Sequence, residues 1–253
     1  MNKHESLWLV WQNVNTRLFY HVGILSFYDN QYTFQYTYQG NGPQKVNDAL
    51  KNGYLLHPMF PDLKKEYKSE NLFGAFKRRL PSEIRVDFKD ILSDLSLSED
   101  YSEMELLERT RGKLGGDQYS FEKPLKIIDG ILKTSFYING MSYQDLPQNW
   151  SEVLKSYKKV ILKLEPENPV DENAVAIYTG FNIKLGYVPR FYASGISALM
   201  NNEMVPNVSV NYINESSTAS WWVKLDFECE IPLLSKSKLT NLDPIFEYVN
   251  NHT

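Results

Sequence analysis

Near the start of the chain, apolar positions gather into runs rich in aromatic and β-branched residues. Leu7-Trp8-Leu9-Val10-Trp11 is the first and Leu18-Phe19-Tyr20-His21-Val22-Gly23-Ile24-Leu25 the second. After Asp29-Asn30 comes Tyr32-Thr33-Phe34-Gln35-Tyr36-Thr37-Tyr38. Runs of this kind, bounded by turn residues, predict three antiparallel strands. The spacing then lengthens. Glu70-Asn71-Leu72-Phe73-Gly74-Ala75-Phe76, leading into Lys77-Arg78-Arg79-Leu80-Pro81, reads as helical. From Asp87 to Leu95, Phe88, Ile91, Leu92 and Leu95 recur at helical spacing. Ser102-Glu103-Met104-Glu105 fits a capping box that opens a helix, and Gly112 fits its stop. Gly115-Gly116-Asp117 is a tight turn, and Tyr119-Ser120-Phe121 a short closing strand.

Lys123-Pro124 marks a boundary, dividing the chain into domains at 1–122 and 123–253. Beyond it, Phe136-Tyr137-Ile138, Val160 to Leu164, Ala174 to Tyr178 and Leu185 to Val188 read as strands. Tyr192 to Asn202 sets Ile196, Leu199 and Met200 on one helical face. Val208 to Ile213 and Trp221 to Ile231 alternate as strands, and Leu242 to Val249 reads as a terminal helix. The class is α+β. No internal repeat or low-complexity tract points to a solenoid.

Composition narrows the chemistry. The 253 residues carry a formal net charge of −4, and residues 1–122 and 123–253 each carry −2. A protein that coats duplex DNA advertises positive charge, so any nucleic-acid contact here is local. No apolar run reaches the length of about 18 residues that a membrane helix needs, and the N-terminus lacks a signal peptide's apolar stretch. Cys229 is a lone cysteine and forms no internal disulfide. A cytoplasmic protein is the simple expectation. His4, His21, His57 and His252 are scattered, with no metal-binding spacing. Phosphate-binding, nucleophile-elbow and zinc-protease motifs are absent. The paired acids Glu165/Glu167 and Asp171-Glu172 have no base or nucleophile beside them in sequence. A non-enzymatic protein without metal or cofactor is expected.

One stretch stands out: Leu164-Glu165-Pro166-Glu167-Asn168-Pro169-Val170-Asp171-Glu172-Asn173-Ala174-Val175, a polar turn between two apolar runs. Asn-Pro initiates turns, and Asn or Asp side chains bond nearby backbone amides. Together with Gly186-Tyr187-Val188-Pro189-Arg190 and the helix that follows, this turn resembles the signature of the HIRAN domain over about residues 125–235. The resemblance implies a β-barrel with one or two helices. It also implies capture of single-stranded DNA by its 3′ end, the activity of a DNA-binding member. Carried over by position, the pocket would comprise Tyr143, Asn168, Asp171, Tyr187 and Arg190. A late-strand aromatic would fall on Trp221 or Trp222. Two positions depart from the family pattern: Val170 replaces an aromatic and Ser142 an arginine. Loss of one stacking ring removes roughly 1–3 kcal/mol of base contact.

The residues themselves leave two roles open at each place. Asn168 and Asp171 can bind a terminal nucleotide or tie their own turn, and both roles coexist. By alternation, Trp221 shares the core face of Val223, Leu225 and Phe227, whereas Trp222 falls with Lys224, Asp226 and Glu228 and is the better stacking candidate. Arg190 precedes a helix, where a phosphate contact is natural, though a solvated arginine fits as well. Lys77-Arg78-Arg79 reads as a solvated face or ion-pair partner.

The first half is more distantly similar to the small N-terminal subdomain of HipA-type toxin kinases, over about residues 6–122. Its opening strands, Phe73-x-x-Phe76-x-x-x-Leu80-Pro81 and the helix before Gly115-Gly116 carry that likeness. It implies a protein partner, a kinase-like toxin or defence effector. Two functional expectations follow: a non-catalytic module that recognises single-stranded or 3′-terminal DNA, or an antitoxin-like interaction factor without DNA binding.

Overall fold

The computed structural model describes residues 5–38, 45–95, 97–232 and 246–249. The chain divides into two compact units, Met1–Pro124 and Leu125–Thr253. In the first, the three early apolar runs form an antiparallel meander, β1 (Glu5–Gln12), β2 (Phe19–Tyr28) and β3 (Gln31–Tyr36). There follow α1 (Val46–Lys51), β4 (Tyr67–Ser69), α2 (Gly74–Lys77), α3 (Phe88–Asp94), α4 (Glu103–Thr110) and β5 (Tyr119–Glu122). The sheet order is β4-β3-β2-β1-β5. Leu7, Leu9 and Trp11 alternate into one core with Val22, Leu25 and Phe34, as a period of two requires. The Phe60 and Phe76 rings close on Phe34 at 4.4 and 5.3 Å.

Helix α4 begins at the capping box: Ser102 Oγ accepts from the Glu105 amide, and the Glu105 carboxylate accepts from the Ser102 amide. Its left-handed stop comes one residue before the expected glycine, at Arg111 (φ 56°). The Arg111 guanidinium is buried against Glu122, which anchors it there. The helical reading of 70–81 shrinks to the single turn of α2. Lys77 pairs with Glu103 at 3.0 Å, while Arg79 reaches Asp117 and donates to the Gly112 carbonyl. Lys77 and Arg79 of the cluster thus have ion-pair partners among the described residues.

The second unit contains β6 (Leu125–Ile128), β7 (Ile131–Tyr137), α5 (Trp150–Ser156), β8 (Val160–Leu164), β9 (Val175–Thr179), β10 (Lys184–Tyr187) and α6 (Arg190–Asn201). It ends with β11 (Asn207–Ile213), β12 (Val223–Glu230) and β13 (Phe246–Val249). A three-stranded sheet runs β10-β9-β8 and a five-stranded sheet β11-β12-β7-β6-β13.

The expected β-barrel is therefore not closed among the described residues. Single bridges, Asn139 to Tyr187 and Lys159 to Ser209, join the two sheets where a barrel would have full ladders. Gly140 (φ 74°) turns the chain away after one pair, and a register shift between Val210 and Tyr212 interrupts the partner of the other bridge. The terminal-helix reading is also corrected. Residues 246–249 form a strand parallel to β6, because a sheet edge supplies hydrogen bonds that an isolated short helix lacks. The remainder of that reading, 242–245, lies outside the described residues. No helix among the described residues is long and apolar enough to cross a membrane.

Candidate functional site

The polar turn between β8 and β9 is built largely by its own side chains. Asn168 Oδ1 accepts from the amides of Val170 and Asp171 at 3.0 and 3.3 Å, and Asp171 Oδ1 accepts from the Asn173 amide at 3.0 Å. Backbone bonds from Glu165 N to Ala174 O and from Ala174 N to Asp171 O close its base. Proline at 166 and 169 limits the unfolded chain there. From the start of α6, Arg190 reaches back across the turn. One guanidinium N–H donates to the Val170 carbonyl at 3.0 Å, and Nε lies 3.3 Å from Asp171 Oδ2. That approach makes an ion pair without a hydrogen-bonding angle at Nε.

These groups line one cavity of about 280 Å³. Its walls include Gly140, Tyr143, Asn168, Asp171, Tyr187 and Arg190. Tyr143 ends a 3₁₀ turn whose Met141 is buried, so the turn is anchored while the phenol ring stands 88% exposed at the cavity edge. Gly186 makes the opposite wall possible. Its φ is +147°, and a Cβ there would sit 2.4 Å from the Asn139 carbonyl oxygen. With glycine, Asn139 and Tyr187 exchange two backbone hydrogen bonds of 2.9 and 2.8 Å, which hold Tyr187 beside the 3₁₀ turn.

Behind the cavity lies a polar cluster that pattern reading did not single out. Lys184 Nζ donates to Glu165 Oε1 and to the Tyr187 hydroxyl, both at 2.7 Å, and Tyr187 donates onward to Glu165 Oε2 at 3.0 Å. The Asn168 amide donates to the same carboxylate and hydroxyl at 3.2 and 3.3 Å. Burial works against charge on Glu165, yet hydrogen bonds from Lys184, Asn168 and Tyr187 outweigh it and hold the carboxyl below its ordinary range. On Lys184 burial likewise opposes the charge, and bonding to Glu165 and Tyr187 raises the amine. Asn168 is thereby locked from both ends. Among the described residues no group of three or more His, Cys, Asp and Glu is placed to hold a metal ion. Cys229 is buried, which pushes its thiol up to about 11.

The structure thus brings Tyr143, Asn168, Asp171, Tyr187 and Arg190 together, and it places the two tryptophans differently. Neither Trp221 nor Trp222 is among the lining residues. Ala219–Trp221 form a 3₁₀ turn and β12 begins only at Val223, so strand alternation cannot be extended back to them. Trp221 meets the Tyr137 ring edge-on at 4.8 Å. Trp222, the preferred stacking candidate, instead stacks on Trp150 at 5.5 Å and donates to the Ser217 carbonyl. Gly140 and Gln144, missed from the pattern, also line the cavity. The Asn139-Gly140 dipeptide was the available signal for the first, since it marks a turn.

Residues 131–233 match the family model of the HIRAN domain. Two solved structures are similar to part of the chain. The HIRAN domain of human HLTF is 17% identical, with 44% of this chain and 84% of that one covered and a TM-score of 0.33. A protein from Lactobacillus plantarum is 20% identical, with 41% of this chain and 100% of that one covered and a TM-score of 0.33. No curated protein matches the chain.

Proposed function

We propose that the HIRAN domain at residues 131–233 makes this protein a non-catalytic nucleic-acid-recognition module that holds a single strand by its terminus, in DNA by the 3′ end. One observation carries the reading. A strand-connecting turn, an exposed aromatic ring and the first residue of a helix converge on a single cavity. Its volume of about 280 Å³ lies just below the usual range of ligand sites, roughly 300–1,000 Å³, a size suited to one terminal nucleotide rather than a longer segment. Asp171 accepts one amide bond at Oδ1 and keeps lone pairs for a terminal hydroxyl. Arg190 retains guanidinium donors beyond those engaged with Val170 and Asp171. It sits at the N-terminus of a 12-residue helix, where backbone amides favour a phosphate. Tyr143 supplies a stacking face that is already solvent-exposed. This chemistry needs little positive field and so suits a chain of net charge −4.

The test is fluorescence anisotropy at low salt with labelled single strands carrying a free or a phosphorylated 3′ end. Tighter binding of the free end supports the reading. Undetectable binding of both strands refutes it.

A second reading, a protein-interaction factor without DNA binding, draws on the internal satisfaction of Asn168 and on the Asp171–Arg190 pair. Coupling of the N-terminal domain, residues 1–122, to a kinase-like protein partner is a proposal of the same kind, resting mainly on the order of its elements. Co-purification of such a partner, unchanged by Asp171→Ala and without strand binding, would favour it.

A further inference from the structure

We propose that the strand does not end its contact at the cavity but continues across the outer face of the β8–β9–β10 sheet, so that the protein grips several consecutive nucleotides. The inference rests on the strand-end reading above and extends it. Cross-strand register arranges that face in two rows: Lys163, Ala176 and Tyr187, then Ile161, Tyr178 and Lys184, with Ala176 buried beneath its longer neighbours. Tyr187 also lines the cavity, which makes the cavity and the face continuous. In β8 and β9 the rows are two residues apart, roughly 6.6 Å at about 3.3 Å per residue. That is close to the phosphate-to-phosphate step of an extended single strand. In β10 a bulge between Lys184 and Gly186 sets Lys184 and Tyr187 three residues apart while keeping the same register. Beyond the second row the β9–β10 turn presents Phe181, packed edge-on against Tyr157 at 5.0 Å. These two rings are 60% and 59% exposed.

Charge selects the occupant. The Lys163 amine lies 4.2 Å over the Tyr178 ring and the Lys184 amine 4.3 Å over the Tyr187 ring. Lys159, next in the alternation of 161 and 163, is exposed as well. Of these amines, Lys184 is paired with the Glu165 carboxylate, while no described carboxylate is placed in an ion pair with Lys163 or Lys159. The face is therefore locally basic on an acidic chain. One ring and one amine in each row, with the rows about one nucleotide apart, suit a single strand, whose bases stack while its phosphates take the amines. On entry a base would take the Tyr178 face, and the exposed Lys163 amine would exchange its bond to Asn182 Oδ1 for the adjoining phosphate. Lys184 stays bonded to Glu165 and Tyr187 beside the cavity.

The experiment compares 3′-hydroxyl oligothymidines of two and six nucleotides on the full chain by anisotropy. The six-mer should bind at least about ten-fold tighter. Lys163→Gln and Phe181→Ala, both at exposed positions, should each weaken the six-mer several-fold and leave the dinucleotide unchanged. Lys163→Gln should also reduce the salt dependence of six-mer binding by about 0.7 in the log–log slope. Equal affinities for the two lengths, or a six-mer insensitive to both substitutions, overturn the inference and leave end capture standing. Failure of both oligomers to bind overturns end capture and the inference with it.

Discussion

Gly186→Ala tests how the cavity is held together. An alanine Cβ at this position would meet the Asn139 carbonyl oxygen at 2.4 Å and Ile138 Cγ2 at 2.9 Å. The nearer atom is backbone, so relief requires β10 to move away from the residues after β7. That movement breaks the two bridge hydrogen bonds between Asn139 and Tyr187, worth about 1 kcal/mol each in net terms. Holding a side chain at φ +147° adds about 1–3 kcal/mol. The total is about 3–5 kcal/mol, which lowers the melting temperature of the second unit by on the order of 10–20 °C. Calorimetry reads this directly. Gly180→Ala is the control: no atom lies within 4 Å of its Cβ position and its φ is not positive, so it should fall within about 0.5 kcal/mol of the parent. Strand-end affinity of the Gly186 variant should drop at least about ten-fold as the cavity walls separate. A Gly186→Ala protein that melts within about 2 °C of the parent would refute this account of the site.

Three further outcomes are expected. Tyr143→Ala should leave the melting temperature unchanged, since the ring is 88% exposed, while lowering strand affinity by about 1–3 kcal/mol; titration by anisotropy checks both claims against a melt. His21 is buried beside Lys45, with its imidazole held well below 6.5 by burial and then by the Lys45 charge. As pH falls through 6.5 the unfolded chain takes a proton that the folded chain refuses. Stability should therefore decline by up to roughly 2 kcal/mol by pH 5, and urea unfolding of His21→Gln should show a flatter profile across that window. Glu165 titrates low in the folded state, so its contribution is present above its unfolded value near 4.5 and fades as pH drops through the folded one. Acid unfolding of Glu165→Gln should lack that component, and an unchanged acid limb would show that the Lys184–Tyr187–Asn168 cluster adds nothing.

Local chemistry made much of this molecule readable from residue order. Period-two apolar runs specify β1 to β3 because one face of each strand must be buried. Ser102 and Glu105 mark a helix start because their side chains satisfy amides that the first turn leaves free. Asn168 and Asp171 announce a self-bonded turn for the same reason. Asp129-Gly130 carried an equally local signal that went unused: both residues have positive φ, at 51° and 79°, in the tight hairpin between β6 and β7.

Other features are decided by groups far apart in sequence, and no local rule reaches them. Arg190 is not a solvated cation because the folded chain returns it to a carboxylate nineteen positions earlier, at Asp171. Glu165 matters because β9 and β10 carry Lys184 and Tyr187 back over it. Trp222 is covered by Trp150, a ring on a helix that the pattern did not show. Among the described residues barrel closure stops at two single bridges, where Gly140 and the interrupted register near Val210 leave each with one pair. Periodicity assigns a residue to a face of its own element, whereas a site depends on which faces meet, and only long-range packing settles that.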